Sequence, residues 1–135
     1  VDDPLRWRLV DPRQLKAKAL VDLLWLCPLD VARLLAARTY GTETSLVLAV
    51  EDAFDPDIAG TYRLDTGLTG AACAAVDAPP DLRLGAGALG AGALGGTGLA
   101  PRAAAGRVEE CRPGALATAD AAFRTPLAPS NSTFF

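Results

Sequence analysis

Alternating apolar and polar positions predict several short strands in this 135-residue chain. One stretch has apolar side chains at every second position, and a turn rich in Asp and Pro separates it from an antiparallel partner. An apolar run that ends at Pro28 indicates a buried strand rather than a short helix. The predicted strands lie at residues 5–10, 20–27, 46–50, from 61–64 onward, 72–76, 82–84 and 107–111.

Two helices are predicted from their capping residues and helical spacing. Asp30 is a good N-cap for a helix at residues 31–39, and Gly41 is a typical C-terminal stop. Pro113-Gly114 opens the last helix. The apolar residues that share a face are Val31, Leu34 and Leu35 in the first helix, and Leu116, Ala119 and Phe123 in the last. Together the elements predict an α+β domain, in which helices pack on one face of a mixed, mainly antiparallel sheet.

Residues 80–110 contain a charge-free segment written GAGAL, GAGAL, GGTGL, which follows a strand-like run. It is compatible with a nucleotide-binding loop, a membrane span, or helices packed tightly on a sheet. Gly85-x-Gly87-x-x-Gly90 fits the dinucleotide-binding spacing, with acidic residues about 20 positions beyond. The same spacing recurs in the second repeat, however, and too little chain follows for further βα units. We therefore interpret the glycine spacing as a result of the repeated composition, with the glycines serving helix packing rather than nucleotide binding.

The membrane interpretation rests on residues 84–101, which carry no charge and approach the length of a spanning helix, about 20 residues. The large apolar side chains of this stretch are four leucines, and each of its seven glycines weakens a helix by about 1 kcal/mol relative to Ala. Such a segment is helical only when tertiary packing supplies the difference, with glycine allowing close backbone approach. We therefore predict packed helices and no membrane span.

Composition narrows the classes of partner. The formal net charge is -3 and the 13 Lys and Arg residues are scattered, which argues against nucleic acid. Cys27, Cys73 and Cys111 lack CxxC spacing and the chain has no His, so no zinc site is expected. We predict that the cysteines are small buried hydrophobes in a reducing cytoplasm, and the acidic start lacks a signal peptide. Because the chain has no Met, we interpret it as a piece of a longer protein.

In combination, six segments resemble the C-terminal domain of the enhanced-intracellular-survival (Eis) family of acetyltransferases. They are RLVDPRQLKAKALVDLLWLCPLDVARLLAARTY, LVLAVEDAFDPDIAGTYRLD, PDLRLGAGALGAGALGG, PRAAAGRVEE, PGALATADAAFR and LAPSNSTFF. The resemblance covers essentially the whole chain. It implies a sterol-carrier-protein-like domain that follows two GNAT-type acetyltransferase domains. On that basis residues 1–18 are the end of the preceding GNAT-type domain or a linker, and residues 19–135 are the sterol-carrier-protein-like domain with its C-terminal tail.

The resemblance also implies the activity of the parent protein. Members of the family acetylate amines, aminoglycosides among them, with acetyl-CoA, and often form hexamers. The acetyl-CoA loop belongs to a GNAT domain, so no cofactor-binding residue is expected in this chain, and the chain alone is expected to be inactive. Tyr40 and Tyr62 are expected to be packing residues rather than catalytic acids. The implied partners are the N-terminal GNAT domains and further copies of the protein, in the cytoplasm.

The resemblance implies one catalytic group here, the C-terminal carboxylate of Phe135, as the base that reaches the acceptor site of the first GNAT domain. An α-carboxyl group has a pKa of about 3.5 and is ionised at neutral pH. Desolvation beside a ring such as that of Phe134 would raise its basicity, so that it takes a proton from the ammonium group of the acceptor or holds that group in place. The alternative for any chain end is a solvated tail.

Two other functions stay open on the sequence. One is a lipid- or sterol-binding carrier module, because the sterol-carrier fold can enclose an apolar tunnel. The sheet face with Leu116 and Phe123 would line it, although the same residues equally form a core. Alternatively, the domain is an assembly module that holds a hexamer together.

Overall fold

The computed structural model describes residues 5–16, 25–126 and 129. Of these, residues 5–16 and Trp25 belong to one compact unit, and the residues from Leu26 to Pro129 belong to a second. The first unit contains helix α1 (Leu5–Arg8) and a 3-10 helix (Pro12–Gln14). The predicted strand at residues 5–10 is therefore wrong. A helical turn bonds within itself, whereas a strand needs a neighbour, and no described strand pairs with this segment.

The second predicted strand is also wrong where it can be checked. Residues 20–24 lie outside the described part of the chain, and residues 25–28 form neither helix nor strand. Trp25 is 84% exposed, so this apolar run is not buried against the sheet there.

Among the residues that the structure describes, the sheet has five strands, and these confirm the other five strand predictions with shifts at their ends. The strands are β1 (Thr44–Glu51), β2 (Gly60–Gly67), β3 (Gly70–Ala75), β4 (Leu82–Gly85) and β5 (Val108–Glu110). Their spatial order is β3-β2-β1-β4-β5. Strand β1 runs parallel to β4, while the other three neighbouring pairs are antiparallel. The sheet is thus mixed and mainly antiparallel, as predicted.

The alternation in β1 sets the register of the core. Leu46 lies opposite Leu64 on β2, and Leu48 lies opposite Leu82 on β4. These four leucines have no exposed surface. Since paired positions share one face of a sheet, the large side chains form one continuous apolar surface. The helices cover this surface, and the other face carries charged side chains such as that of Arg83.

Four helices accompany the sheet in the second unit: α2 (Val31–Ala36), α3 (Ala86–Ala93), α4 (Leu99–Ala104) and α5 (Ala115–Phe123). Asp30 caps α2 as predicted, because its carboxylate accepts a hydrogen bond from the Arg33 amide at 2.9 Å. The helix ends at Ala36, three residues before the predicted end and well before Gly41. One reason is that the Leu35 carbonyl accepts the Tyr40 hydroxyl at 2.8 Å rather than a further helical amide.

The glycine-rich segment forms α3 and the connection to α4, whose first residue is Leu99, and this confirms a packed helix in its first part. A Cβ atom on Gly90 would overlap the carbonyl oxygen of Leu26, so this glycine lets another part of the backbone touch the helix. By contrast, a Cβ on Gly87 would meet nothing within 4 Å. Among the described residues, no helix combines the length and the apolar character that crossing a membrane requires.

The prediction of buried cysteines is wrong for two of the three. Cys27 and Cys111 are exposed. Cys27 lies in a segment that is neither helix nor strand, and Cys111 directly follows the short edge strand β5. Cys73 on β3 is half-buried, and burial raises the pKa of its thiol to about 11.

Candidate functional site

The predicted catalytic residue, Phe135, and its neighbour Phe134 lie outside the described residues. The structure does show how the segment that leads to Phe135 leaves the domain. Helix α5 ends at Phe123, and Arg124 then adopts an extended conformation. Five residues surround this point: Arg38, Tyr40, Gly95, Phe123 and Thr125, which together we call the tail anchor. They come from three separate parts of the chain.

Arg38 is at the centre of the tail anchor. Its Nη1 donates to the Ala93 carbonyl at 2.9 Å, and its Nη2 donates to the Phe123 carbonyl at 2.9 Å. These are carbonyls of the last turns of α3 and α5, where helical partners run out and the helix dipole is negative. One guanidinium group therefore supplies hydrogen-bond donors to the terminal carbonyls of two helices, and its positive charge offsets the negative ends of their dipoles. A hydrogen bond of this charged kind contributes about 1.5–3 kcal/mol.

Two aromatic rings enclose the guanidinium group. Its central carbon lies 4.6 Å from the ring centroid of Tyr40 and 5.1 Å from that of Phe123. The two rings pack edge to face, with centroids 5.5 Å apart at an angle of 84°. This arrangement combines cation–π attraction with a fixed plane for the guanidinium fork.

Burial changes the titration of both polar groups in the anchor. Desolvation lowers the pKa of Arg38, which nevertheless keeps its charge because guanidinium groups stay protonated in proteins. Desolvation raises the pKa of Tyr40, so its hydroxyl is neutral and donates to the Leu35 carbonyl. Tyr40 is therefore a packing and hydrogen-bonding residue, as predicted. Tyr62, whose hydroxyl donates to the Ile58 carbonyl at 3.1 Å, has a similar role.

The residues after α5 contact the connection between α3 and α4. Thr125 donates to the Gly95 carbonyl from its amide at 3.3 Å and from its Oγ1 at 3.1 Å. Further along, a Cβ atom on Gly96 would lie 2.7 Å from Cδ of Pro129. Because they lack side chains, Gly95 and Gly96 leave room for Thr125 and Pro129 respectively.

Asp120 of α5 makes a second connection, to the start of α4. Its carboxylate accepts hydrogen bonds from the Leu99 amide and, at 3.2 Å, from the Ala100 amide. These amides belong to the first turn of α4, whose N-cap residue Gly98 has no side chain to do this. A residue of α5 thus caps α4, which fixes α5 against the α3–α4 connection.

Sequence reasoning missed Arg38, Asp120 and Thr125. Arg38 bonds to carbonyls 55 and 85 positions away, and backbone acceptors leave no mark in residue type. The signal that was available is the doublet Gly95-Gly96 directly after α3, since glycine at a helix end is typical of a positive φ. Gly95 indeed has φ +75°.

A separate depression of about 350 Å³ lies on the exposed face of the sheet. Arg83 lines it and is paired with Glu109 at 2.7 Å and with Glu51 at 3.4 Å. Such a lining does not suit a lipid chain. Phe123, proposed as a wall of an apolar tunnel, is 3% exposed and packs into the core, whereas Leu116 is half-buried at its edge.

Comparison with known proteins gives a consistent picture. The sterol carrier protein domain family matches residues 31–132. An uncharacterized N-acetyltransferase of Streptomyces griseus is 46% identical over 129 residues, which are 95% of this chain and 30% of that protein. An uncharacterized N-acetyltransferase of Streptomyces coelicolor is 41% identical over 96% of this chain and 31% of its own length.

The chain is also similar to solved structures of N-acetyltransferases. The crystal structure of Eis1 from Mycobacterium abscessus matches with a TM-score of 0.86 and 34% identity, over 100% of this chain and 34% of that one. A GCN5-related N-acetyltransferase from Kribbella flavida matches with a TM-score of 0.61 and 26% identity, over 70% of this chain and 25% of its own. The chain therefore belongs to the sterol carrier protein domain family, in the form that occurs as the C-terminal part of Eis-like N-acetyltransferases. It spans about a third or less of the length of these proteins.

Proposed function

We propose that this domain is the C-terminal, non-CoA-binding part of an Eis-like acetyl-CoA-dependent N-acetyltransferase, which acts on amines that include aminoglycosides. The observation that carries the proposal is the similarity to Eis1 over the whole chain, at a TM-score of 0.86. The curated relatives that are 41–46% identical are themselves named N-acetyltransferases, which supports the same class of reaction.

The second part of the proposal concerns the α-carboxylate of Phe135. In the parent protein it accepts a proton from the ammonium group of the acceptor amine. The freed nitrogen lone pair then attacks the acetyl carbon, and the bond from that carbon to sulfur breaks. The nitrogen gives up its second proton and the leaving thiolate of coenzyme A takes up a proton, so the products are the amide and the free thiol. Acetyl-CoA supplies the acetyl group and is bound by domains outside this chain. A carboxylate with a raised pKa suits this transfer, because a base works best near the operating pH.

The proposed partners are the N-terminal GNAT domains of the same protein and further copies of it, in a hexamer. The proposed location is the cytoplasm. The three cysteines are free thiols in the structure, which suits a reducing compartment.

The experiment measures acetyl-CoA consumption by the full-length protein with a panel of primary amines and aminoglycosides. The 135-residue chain alone is the matched control. We expect turnover with at least one amine for the full-length protein and none for the chain alone. A folded full-length protein that consumes no acetyl-CoA with any of these amines would contradict the proposal.

A further inference from the structure

Strand β3 forms one edge of the sheet, with β2 as its neighbour in the described part of the chain. Just beyond the strand, the Val76 amide donates to the Thr61 carbonyl of β2 at 2.9 Å. Since hydrogen-bonded and non-hydrogen-bonded pairs alternate along an antiparallel ladder, every second residue of β3 directs its backbone groups away from β2. These residues are Ala71, Cys73 and Ala75, and the described residues offer their backbone groups no hydrogen-bond partner.

The two edges of the sheet differ in how they are protected. Folded proteins usually protect a free edge with charged side chains, proline, a bulge or a very short strand. Strand β5 has three residues, of which Glu109 and Glu110 are exposed. Strand β3 has six residues, GAACAA, without charge or proline, and its register with β2 runs without a bulge. Its free edge is therefore suited to accept a further strand.

The pattern of free groups in β3 is its own complement. The three outward residues are symmetric about Cys73, so a second copy of β3 can run antiparallel to the first. Cys73 then lies opposite Cys73 of the second copy, and Ala71 lies opposite Ala75 of the second copy. Every outward N–H and C=O group of both strands gains a partner in this register. Ala72 and Ala74, which are exposed on the open face of the sheet, are too small to obstruct the approach.

An exposed leucine at the end of β3 supports the same partner. Leu68 lies in the turn between β2 and β3 and is 66% exposed. In the register centred on Cys73, this turn lies beside Val76 of the second copy. Pairing therefore covers apolar surface that the described domain leaves in solvent. A two-fold contact of this kind is also closed, because each copy uses the edge of the other and no third copy can add.

We infer that β3 is a contact surface between two copies of the parent protein, which pair antiparallel about a two-fold axis at Cys73. The two five-stranded sheets then form one continuous sheet, with the helices of both copies on the same face. The inference rests on the proposed association with further copies and names the surface that makes it. It does not depend on acetyl transfer.

The test uses cysteines that only this register brings together. In the full-length protein with Cys73→Ala, an introduced cysteine is the sole thiol of the tryptic peptide 64–83. Residue 72 lies opposite residue 74 of the second copy as a non-hydrogen-bonded pair, with Cα atoms about 4.5 Å apart, which suits a disulfide. The two copies of residue 72 are diagonal neighbours about 7–8 Å apart, as are those of residue 74, and this is too far.

We expect oxidation of co-expressed Ala72→Cys and Ala74→Cys proteins to give a disulfide that joins residue 72 of one copy to residue 74 of another. Either variant expressed alone should give none. The matched control is Asp65→Cys co-expressed with Ala74→Cys, because residue 65 is exposed on the same face but belongs to β2. It should give none either. Ala71→Pro removes an outward donor without breaking the ladder to β2, so it should abolish most of the disulfide while the melting temperature is kept.

Mass spectrometry of the peptides and native mass spectrometry of the intact protein separate the outcomes. A disulfide in either single variant would indicate another register and overturn the inference. If the protein assembles without the 72–74 disulfide, the edge is covered by something else, such as a strand of the preceding domains, and only the inference fails. If the full-length protein is a monomer, the proposed association fails and the inference fails with it.

Discussion

Thr125 bonds twice to the carbonyl oxygen of Gly95, from its amide at 3.3 Å and from its hydroxyl at 3.1 Å. The contact joins the first residues after α5 to the connection between α3 and α4. Gly95 has φ +75°, and a Cβ atom there would overlap the Thr125 side chain. The glycine is thus required both by its backbone conformation and by its neighbour.

Substitution of Gly95 tests this contact. We expect Gly95→Ala to lower the free energy of unfolding by about 3 kcal/mol, from the strained backbone and the overlap together. The control is Gly106→Ala, because Gly106 has φ +70° with nothing within 4 Å of the added carbon. That variant should lose only the backbone part, about 1–2 kcal/mol. Urea unfolding of both chains gives the difference, and equal losses would show that Thr125 does not press on Gly95.

Two of the three glycines of α3 should respond in opposite directions to substitution. Gly87→Ala adds a carbon in open space and is expected to raise the free energy of unfolding by about 0.5–1 kcal/mol. Gly90→Ala places the carbon on the Leu26 carbonyl and is expected to lower it by about 1–3 kcal/mol. Thermal or urea unfolding of the two variants tests whether α3 is tightly packed. If α3 did not pack against Leu26, both substitutions would raise the free energy of unfolding.

Asp120 should behave as a helix cap supplied from another helix. Asp120→Ala removes the acceptor for the Leu99 and Ala100 amides, so we expect a loss of about 1–2 kcal/mol in urea unfolding. Asp120→Asn keeps an acceptor oxygen and should lose less. If the two variants are equally destabilised, the hydrogen bonds to α4 are not the reason that Asp120 matters.

Acid should weaken the fold partly through Asp81. The hydrogen bond from Arg112 holds the pKa of Asp81 below its usual range against the opposing effect of burial, and the Val47 amide adds to this at 2.8 Å. A depressed folded-state pKa contributes stability that is present above the unfolded pKa, about 3.9, and is lost as the pH falls through the folded value. We expect Asp81→Asn to be less stable at pH 7 and to lose less between pH 5 and pH 2.

The control for this pH profile is Asp57→Asn, which changes an exposed carboxylate on a turn. Its unfolding free energy should follow the unchanged chain across the range. Parallel profiles for Asp81→Asn and the unchanged chain would mean that the Arg112 contact does not persist in solution.

The sequence predicted the fold best where the spacing of apolar residues matches one type of secondary structure. Leu46, Leu48 and Val50 predict β1 because helices cover one face of the sheet, and these alternating residues are the most deeply buried of the strand. The same rule fails for residues 5–10, where the pattern suits a helical turn as well as a strand, and Leu5–Arg8 forms a helix.

The candidate site was less predictable, because its contacts are made by backbone atoms across long separations. The resemblance supplied Phe135, but nothing in the spacing indicates that Arg38 reaches a carbonyl 85 positions away. Nor does a lone Asp120 indicate that it caps a helix that begins 21 positions earlier. Such contacts follow from the tertiary arrangement, which the periodicity of single segments does not specify.

The most direct test of the account is the steady-state turnover of the full-length protein with its last residue altered in three ways. Deletion of Phe135 and addition of one glycine after it both move the carboxylate, while Phe135→Ala keeps the carboxylate in place and removes the ring. A terminal mass measurement confirms each chain end. We expect the two displacements to lower kcat about 100-fold and Phe135→Ala to lower it much less. Equal kcat in all three variants and the unchanged protein would contradict the claim that this carboxylate takes part in acetyl transfer.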